Sequence, residues 1–292
     1  MVASSLHQAA RTSRAATEAP ARGPAIGRPT NDGFDLLGVG LAYGARTVLD
    51  DLDLVIGTGE RVAILGPNGA GKSSLLRILT GHAPERRGAV RLDGQLLESY
   101  SRESLARRVA VVPGEVSLPF AARVEDVVAL GRIPHEHPFR GLRDSDDVAI
   151  GTAIERVGIG DLVGRDARWL SLGERQLVVL AMALAQAPRV LILDEPTVHL
   201  DLRHQVDVME LLVTLNERDG VGVIAVLHDL SLAAHFFPRL VLLDHGRIVA
   251  DGAPDDVLSD ERIRSVYGVD PALVRRSSSP DRVSLQAMGR DP

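Results

Sequence analysis

The strongest constraint on this chain is a glycine-rich loop between a short apolar run and a helical pattern. Its residues fit G-x-x-x-x-G-K-[ST]: Gly66, Pro67, Asn68, Gly69, Ala70, Gly71, Lys72 and Ser73. Residues 61–65 predict a strand before the loop. Residues 72–80, closed by Gly81, predict a helix after it. A strand, a loop and a helix in this order indicate an α/β sheet.

Such a loop has the chemistry of a phosphate site. Glycines let the backbone wrap closely around phosphates, so that several N–H groups and a helix N-terminus point inward. Lys72 is expected to reach the β- and γ-phosphates, and Ser73, followed by Ser74, to offer a hydroxyl to Mg²⁺. Alone, the loop predicts only nucleotide binding, because many kinases and GTPases share it.

Two later apolar strands end in polar side chains. Residues 190–195 end in Asp194 and Glu195, and residues 221–227 are followed by His228. Ligands of open α/β sheets bind at the carboxyl ends of strands. Asp194 there can hold Mg²⁺ through water, and Glu195 can orient or deprotonate an attacking water. The alternatives are a helix N-cap before Pro196 and a purely structural histidine.

Composition narrows the function classes. Hydrophobic residues make up 45% of 292 residues but aromatics only 3%, which suits a buried parallel sheet of Val, Leu, Ile and Ala. The net charge of −6 argues against nucleic acid as the main partner. There is no cysteine, so disulfides and thiolate metal sites are excluded. The longest apolar stretch, 177–185, is too short to span a bilayer, so work at a membrane requires another subunit.

The order of elements predicts an α/β core with an antiparallel β-region at the front and an α-helical insertion. Asp144 or Ser145 is expected to cap one helix of the insertion, and Ser171 with Glu174 forms a capping box before another. We expect a nucleotide-binding domain at 33–270, with the helical part at about 115–187, between tails at 1–32 and 271–292. A transit peptide is the alternative for the Arg-rich first tail. Further strands are predicted at 34–41, 49–56, 89–92, 109–112, 240–243 and 247–250.

The capping-box segment resembles the signature motif of ATP-binding-cassette (ABC) proteins. It reads Leu170, Ser171, Leu172, Gly173, Glu174, Arg175, Gln176, and the strand ending in Asp194 and Glu195 follows about 20 residues later. Leu200 and Asp201 resemble the D-loop, and Tyr43 matches the aromatic that stacks on adenine, although it is equally a strand residue. The resemblance covers roughly 34–269.

The resemblance implies a P-loop NTPase fold and an ATPase that uses ATP and Mg²⁺. Family members pair head to tail, so Ser171, Gly173 and Glu174 would serve the partner's ATP, in a homodimer or with a similar chain. Glu195 would be the general base and His228 would hold the γ-phosphate. Polytopic membrane permease subunits would dock on the helical insertion, at the cytoplasmic face of the cell membrane.

Three segments resemble importers of iron chelates, haem and cobalamin, systems that include an extracytoplasmic substrate-binding protein. They are Gly131–His135, the turn from Asp244 to Arg247, and residues 266–269. Residues 131–135 are equally an exposed helix end followed by a turn. None of these residues contacts a transported solute, so they do not identify the cargo.

Two positions depart from the family pattern. Gly114 stands where the family has glutamine, followed by Glu115, and Leu172 stands where the signature has its first glycine. We expect slow or poorly coupled hydrolysis from the first. Leu172 could remove one hydrogen bond to a charged phosphate. The loss would weaken closure of the dimer by about 1.5 to 3 kcal/mol.

The departures leave a weakly hydrolysing nucleotide-dependent regulator as an alternative function. A soluble ABC ATPase acting on DNA or ribosomes is another, but the chain has no second cassette, long coiled coil or zinc cysteines. An exporter is a further alternative. Exporters more often fuse the cassette to membrane helices, and no apolar stretch of this sequence is long enough to form one.

Overall fold

Two sheets organise the computed structural model, which describes residues 32–83, 85–114, 116, 118, 121–136, 143–198 and 200–272. Its strands are β1 Gly33–Tyr43, β2 Arg46–Gly57, β3 Arg61–Leu65, β4 Arg87–Leu92, β5 Gln95–Leu96, β6 Val109–Val112, β7 Val190–Asp194, β8 Gly222–Val226, β9 Arg239–Asp244 and β10 Arg247–Gly252. Its helices are α1 Lys72–Leu79, α2 Arg102–Ala106, α3 Val124–Ala129, α4 Asp144–Val157, α5 Leu172–Ala185, α6 Leu202–Asp219, α7 Leu230–Phe236, α8 Pro254–Val257 and α9 Asp260–Arg262, which continues into a π-helical turn, Ile263–Tyr267.

The larger sheet has the order β10-β9-β3-β8-β7-β6, and all its pairs are parallel except β10 with β9. The smaller sheet, β2-β1-β4-β5, is antiparallel. The predicted α/β core and antiparallel region are therefore confirmed. β3, flanked by β8 and β9, brings the glycine-rich loop to the carboxyl edge of the parallel strands.

Successive side chains of the buried strands point to opposite faces of the larger sheet, so the core has two layers. Val62 and Ile64 of β3 pack with α1 and the smaller sheet. Ala63 and Leu65 point to the opposite face and pack with α5, α6 and α7. Because both faces of the strand are covered, its sequence is continuously apolar rather than alternating.

The helices between β6 and β7 have a core of their own. α3, α4 and α5 bury a third apolar cluster, and α5 belongs to two clusters at once. Its Val178 and Ala181 face α3 and α4, whereas Val179 and Leu180 face the parallel sheet. The helical insertion is thus joined to the core through α5, and its boundaries at 115 and 187 stay a prediction.

The predicted cap of α4 was wrong. The helix begins at Asp144, and the residue before it, Arg143, occupies the cap position. The Arg143 amide donates to the Asp146 carboxylate at 2.8 Å, so the capping group lies inside the first turn. The cap of α5 is as predicted: Ser171 accepts from the Glu174 amide and Glu174 accepts from the Ser171 amide. The predicted tails lie almost wholly outside the described residues.

Residues 131–135 are not simply an exposed helix end. Arg132 is buried and donates to Asp146 at 2.8 Å and to the Ala185 carbonyl at 2.6 Å. The hydrogen bond from the Arg143 amide lowers the pKa of Asp146 most; burial opposes this, and the hydrogen bond and charge of Arg132 lower it further. This pair ties the end of α3 to α4 and α5.

We expect Arg132→Met to lower the free energy of unfolding by about 3–5 kcal/mol, because it leaves the Asp146 charge buried without its partner. Arg156→Met is the matched control. Its ion pair with Asp219 lies at the surface, so the loss should be about 0–1 kcal/mol. Urea unfolding measures both, and equal losses would contradict a special role for the buried pair.

Candidate functional site

Close backbone contacts shape the glycine-rich loop. A Cβ on Gly66 would lie 2.2 Å from the Leu243 carbonyl oxygen, and one on Gly71 would lie 2.5 Å from Leu49 Cδ2. Both glycines also have positive φ values, 146° and 106°. Any other residue at either position would therefore displace the loop. Asn68 and Gly69 form its exposed tip, Ala70 is buried beneath, and Pro67 and Ser74 are half-buried.

Lys72 is buried at the start of α1, and its Nζ donates to the carbonyls of Gly66 at 2.7 Å and Pro67 at 3.0 Å. Burial lowers the pKa of Lys72, while the charges of Glu195 and Asp194 raise it in part. The ammonium is thus held within the field of both acids. Phosphate oxygens are the natural replacement for the two loop carbonyls.

The surroundings of Asp194 disfavour the charged form of its carboxylate. Burial first, and the charge of Glu195 second, raise its pKa, while a hydrogen bond from Ser73 and the charge of Lys72 lower it. Its Oδ1 is buried without a hydrogen-bond partner. A buried acceptor of this kind fits a hard cation such as Mg²⁺, which prefers oxygen ligands. Ser73 and Asp194 are therefore suited to hold that ion with the nucleotide.

Glu195 and His228 are brought together although 33 residues separate them in sequence. Glu195 has a positive φ of 53°, and its amide donates to the Val226 carbonyl of the neighbouring strand. His228 Nε2 lies 2.5 Å from Glu195 Oε1. Both side chains are partly exposed. The alternative of a helix N-cap at 194–195 was wrong, since the next helix begins at Leu202.

Gly114 lies against the same strand end. A Cβ there would lie 2.8 Å from the Asp194 carbonyl oxygen and 3.6 Å from Glu195 Cβ. The backbone thus occupies part of the space that a side chain would need. Glu115, considered as a possible carboxylate near Glu195, lies outside the described residues.

The signature segment forms the capped N-terminus of α5. The Ser171 hydroxyl accepts from the Glu174 amide at 3.2 Å. The Ser171 amide donates to the Glu174 carboxylate at 2.7 Å, and this hydrogen bond lowers the pKa of Glu174. Leu172 is 54% exposed, so the fold does not need its side chain. Within the described ranges, no hydrogen bond or ion pair joins residues 171–174 to residues 66–73. A Cβ on Gly173 would contact Leu200 of the predicted D-loop at 3.3 Å.

Tyr43 lies at the end of β1 and is 43% exposed. Its hydroxyl accepts from Arg77 Nη1 at 3.2 Å, and the guanidinium lies 6.0 Å from the ring centroid. One exposed aromatic beside α1 can stack on a base. Asp201 caps α6 by accepting from the His204 amide.

Sequence reasoning missed two contacts of the site. Arg77 donates to the Tyr43 hydroxyl, and Gln176 Nε2 lies 3.5 Å from the Pro113 carbonyl next to Gly114. These contacts join residues 34 and 63 positions apart. The resemblance to the signature included Gln176 but gave it no contact, and no sequence signal pointed to Arg77.

A family model described as "ABC transporter" matches residues 49–198. The chain is 40% identical over 229 residues to the ferric enterobactin transport ATP-binding protein FepC of Escherichia coli, covering 78% of this chain and 84% of that protein. It is 45% identical over 225 residues to the hemin import ATP-binding protein HmuV of Nocardia farcinica, covering 76% of each.

The fold is also similar to those of solved ABC transporter structures. One described as an inward-facing metal-chelate type ABC transporter aligns with a TM-score of 0.72 and 28% identity, over 82% of this chain and 90% of that chain. The dimeric ABC transporter cassette MJ0796 aligns with a TM-score of 0.67 and 27% identity, over 76% and 98%. Among the described residues, no helix has the length and apolar character needed to cross a membrane.

We expect Asp194→Asn to raise the thermal midpoint of the nucleotide-free protein at pH 8 and to abolish the stabilisation by Mg²⁺ with ATP. A carboxyl whose folded pKa is raised destabilises the fold above that pKa, and the penalty disappears as pH falls through it. The amide removes the charge at every pH, so the gain should shrink in acid.

Asp201→Asn is the control for the Asp194 variant. The His204 amide lowers the pKa of Asp201, so the same substitution there should not stabilise the protein. Thermal melts across pH, with and without Mg²⁺ and ATP, decide the matter. A destabilised Asp194→Asn apo protein would contradict our account of this carboxylate.

Proposed function

Because the chain belongs to the ABC transporter family, we propose that it is the ATP-hydrolysing motor subunit of an importer for an iron chelate, haem or a cobalamin-type compound. ABC ATP-binding subunits of importers are ATPases, and the chain binds ATP as a member of this family. The proposal for the cargo is supported by relatives named for ferric enterobactin and hemin, and by the residues noted at 131–135 and 266–269.

One observation carries the chemistry: a buried lysine, an unsatisfied carboxylate oxygen and the Glu195–His228 pair lie at one edge of the parallel sheet. The loop amides from Asn68 to Gly71 and the Lys72 ammonium bind the phosphates. Mg²⁺, held by Ser73 and Asp194, would neutralise phosphate charge. Tyr43 stacks on adenine.

Hydrolysis then requires a water aimed at the terminal phosphorus. Glu195 accepts a proton from that water as its oxygen bonds to phosphorus, and the bond from phosphorus to the bridging oxygen breaks to leave ADP and phosphate. His228 orients the carboxylate through their hydrogen bond and contacts the γ-phosphate. The positive φ of Glu195 is a backbone conformation that residues other than glycine seldom adopt and that clusters at functional sites.

Among the residues that the structure describes, none of the signature segment contacts this chain's own phosphate loop, so a second cassette is part of the proposal. Ser171, Gly173 and Glu174 belong to an N-terminal helix end that can receive the γ-phosphate of a partner's ATP. The dimeric cassette among the structural relatives supports a homodimer or a pair with a similar chain. Leu172, exposed beside these amides, would reach the partner first and weaken closure.

The motor acts on other subunits in this proposal. ATP closes the pair, hydrolysis opens it, and the helices α3 to α5 pass the movement to polytopic permease subunits at the cytoplasmic face of the membrane. An extracytoplasmic binding protein would deliver the cargo, and no nucleic acid takes part. The domain at 33–270, with its helical part at 115–187, is the unit we propose for this work.

A weakly hydrolysing regulator is the second candidate, and Gly114 favours it. The missing glutamine removes the side chain that family members direct at the attacking water. The loop backbone approaches the Asp194 carbonyl instead.

Co-purification tests the transport proposal. We expect the tagged chain, expressed in its own cells and extracted from gently solubilised membranes, to bring down a polytopic membrane protein at fixed stoichiometry. Untagged chain from the same cells is the control. Uptake assays with iron chelates, haem and cobalamin would then identify the cargo. A soluble homodimer without a membrane partner would refute the importer and favour a soluble ATPase or regulator.

Two substitutions at residue 114 test the slow-hydrolysis proposal. Gly114→Ala adds only the Cβ that meets the Asp194 carbonyl, so we expect it to lower kcat. Gly114→Gln adds the same Cβ together with the family's amide, so its kcat should exceed that of the alanine variant. Steady-state MgATPase assays compare both with the unsubstituted chain. If the glutamine variant is no faster than the alanine variant, the missing amide does not limit turnover.

A further inference from the structure

The turn between β9 and β10, formed by His245 and Gly246, lies between the phosphate loop and the smaller sheet. The Gly246 amide donates to the Ala70 carbonyl of the loop at 3.1 Å, and the Gly246 carbonyl accepts from the Asp50 amide of β2 at 2.9 Å. One residue thus bonds to the phosphate loop through its N–H group and to the smaller sheet through its carbonyl.

The hairpin turn by itself does not explain why residue 246 is glycine. His245 and Gly246 have φ values of 46° and 76°, as a two-residue turn with two left-handed residues requires. Asparagine also tolerates a left-handed conformation. A Cβ on Gly246, however, would lie 2.4 Å from the Val48 carbonyl oxygen and 3.2 Å from Leu49 Cα. The close packing of the turn on β2 is therefore what demands glycine.

The same stretch of β2 lies against the phosphate loop directly. A Cβ on Gly71, the last glycine of the loop, would lie 2.5 Å from Leu49 Cδ2 and 3.0 Å from the Val48 carbonyl oxygen. The Val48 carbonyl is thus close to both Gly71 and Gly246. The phosphate loop, the turn and β2 meet at this carbonyl without room for a further atom.

Ion pairs at the surface hold the turn in the same place. The Asp50 carboxylate pairs with Arg247, which follows the turn, and with Arg87 of β4. Because both arginines are exposed, these pairs contribute little on their own. The backbone contacts of Gly246 are therefore the principal link between the turn and the smaller sheet.

Tyr43 belongs to the β1–β2 hairpin that extends from this contact. In the register of β1 with β2, Leu41 lies opposite Leu49 and Tyr43 lies opposite Arg46. Arg46 and Val48 are two residues apart, about 7 Å along a strand. The proposed adenine contact is thus carried by the smaller sheet, close to the point where that sheet meets the turn and the phosphate loop.

A nucleotide joins its base to its phosphates by covalent bonds, so their separation has a limited range. Both ends bind at once only if Tyr43 and the phosphate loop are held at a matching separation. Tyr43 lies on the smaller sheet, whereas the loop follows β3 of the larger sheet. The relative position of the two sheets therefore decides how well base and phosphates bind together.

We propose that Gly246 is a positioning residue for nucleotide binding: because it has no side chain, the turn holds the smaller sheet and the phosphate loop at the separation that ATP requires. Gly246 acts through the backbone of Ala70 and of β2, not on the reacting atoms. This role rests on the proposed ATP site and adds to it how the base and phosphate halves are kept in register. Disturbing the register should weaken binding of ATP but not of a ligand that lacks a base.

Gly246→Ala is the test, because the atoms nearest to its Cβ belong to β2. The start of the loop keeps its separate contact with Leu243 of β9, so binding of phosphate alone should persist. Calorimetry in the presence of Mg²⁺ compares a non-hydrolysable ATP analogue with inorganic tripolyphosphate. We expect the affinity for the analogue to fall about tenfold, within what stacking of one base contributes. The affinity for tripolyphosphate should change little.

Gly158→Ala is the matched control. Gly158 ends α4 with a φ of 75°, and a Cβ there meets nothing within 4 Å. The variant therefore carries the same backbone strain without the contact, and it should leave the ratio of the two affinities unchanged. Gly246→Asn and Gly158→Asn repeat the comparison with a residue that tolerates a positive φ, should strain prevent an alanine variant from folding. Thermal melts check the folding of each variant.

Two results would overturn the role of Gly246. One is an equal loss of affinity for the analogue and for tripolyphosphate, since the turn would then support only the loop. The other is an unchanged ratio of affinities in the folded Gly246 variants. In a Tyr43→Ala background, Gly246→Ala should cost the analogue no further affinity, because the base contact is already lost. If the unsubstituted chain failed to bind the analogue, the proposed ATP site itself would fall, which is a distinguishable result.

Discussion

Desolvated charge at the carboxyl edge of the parallel sheet is the constraint on which the site depends. Lys72, Asp194 and Glu195 come from two elements more than 100 residues apart, and each influences the charge of another. Burial disfavours the charged form of both the lysine and the aspartate. Their mutual attraction offsets part of this cost, and a nucleotide with its cation would offset more. A bound nucleotide with its cation can therefore relieve the cost of burying these charges.

That arrangement requires a rigid frame, which explains the backbone contacts around the phosphate loop. Gly66 and Gly71 meet neighbouring backbone or side chains at distances that no Cβ tolerates. The contacts come from β2 and β9, and thus from both sheets. A loop supported from several directions presents its amides with little reorganisation, which is what phosphate binding needs.

The helical part is connected differently. α5 contributes one face to the core of the insertion and another to the parallel sheet, and its N-terminus carries the signature. Movement of α3 to α5 as a unit would therefore move the signature relative to the phosphate loop. The buried pair of Arg132 and Asp146 stiffens this unit, since it joins α4 to the ends of α3 and α5. Gly114, which has no side chain, lies near the junction of the two parts.

The sequence by itself determined the described strands other than β5, the helix after the phosphate loop, the cap of α5 and the loop itself. Each of these depends on local signals: apolar runs, capping residues and glycine spacing. It also brought Asp194, Glu195 and His228 to one edge, since parallel strands align their carboxyl ends. It failed at the cap of α4, where Asp146 inside the first turn does the work expected of Asp144 or Ser145.

Only the tertiary structure decided the contacts between distant segments. The Glu195–His228 hydrogen bond, the orphaned oxygen of Asp194 and the close approach of Gly114 depend on strand order and on distances of a few tenths of an ångström. Local patterns carry no information about such distances, because they arise when elements pack against one another.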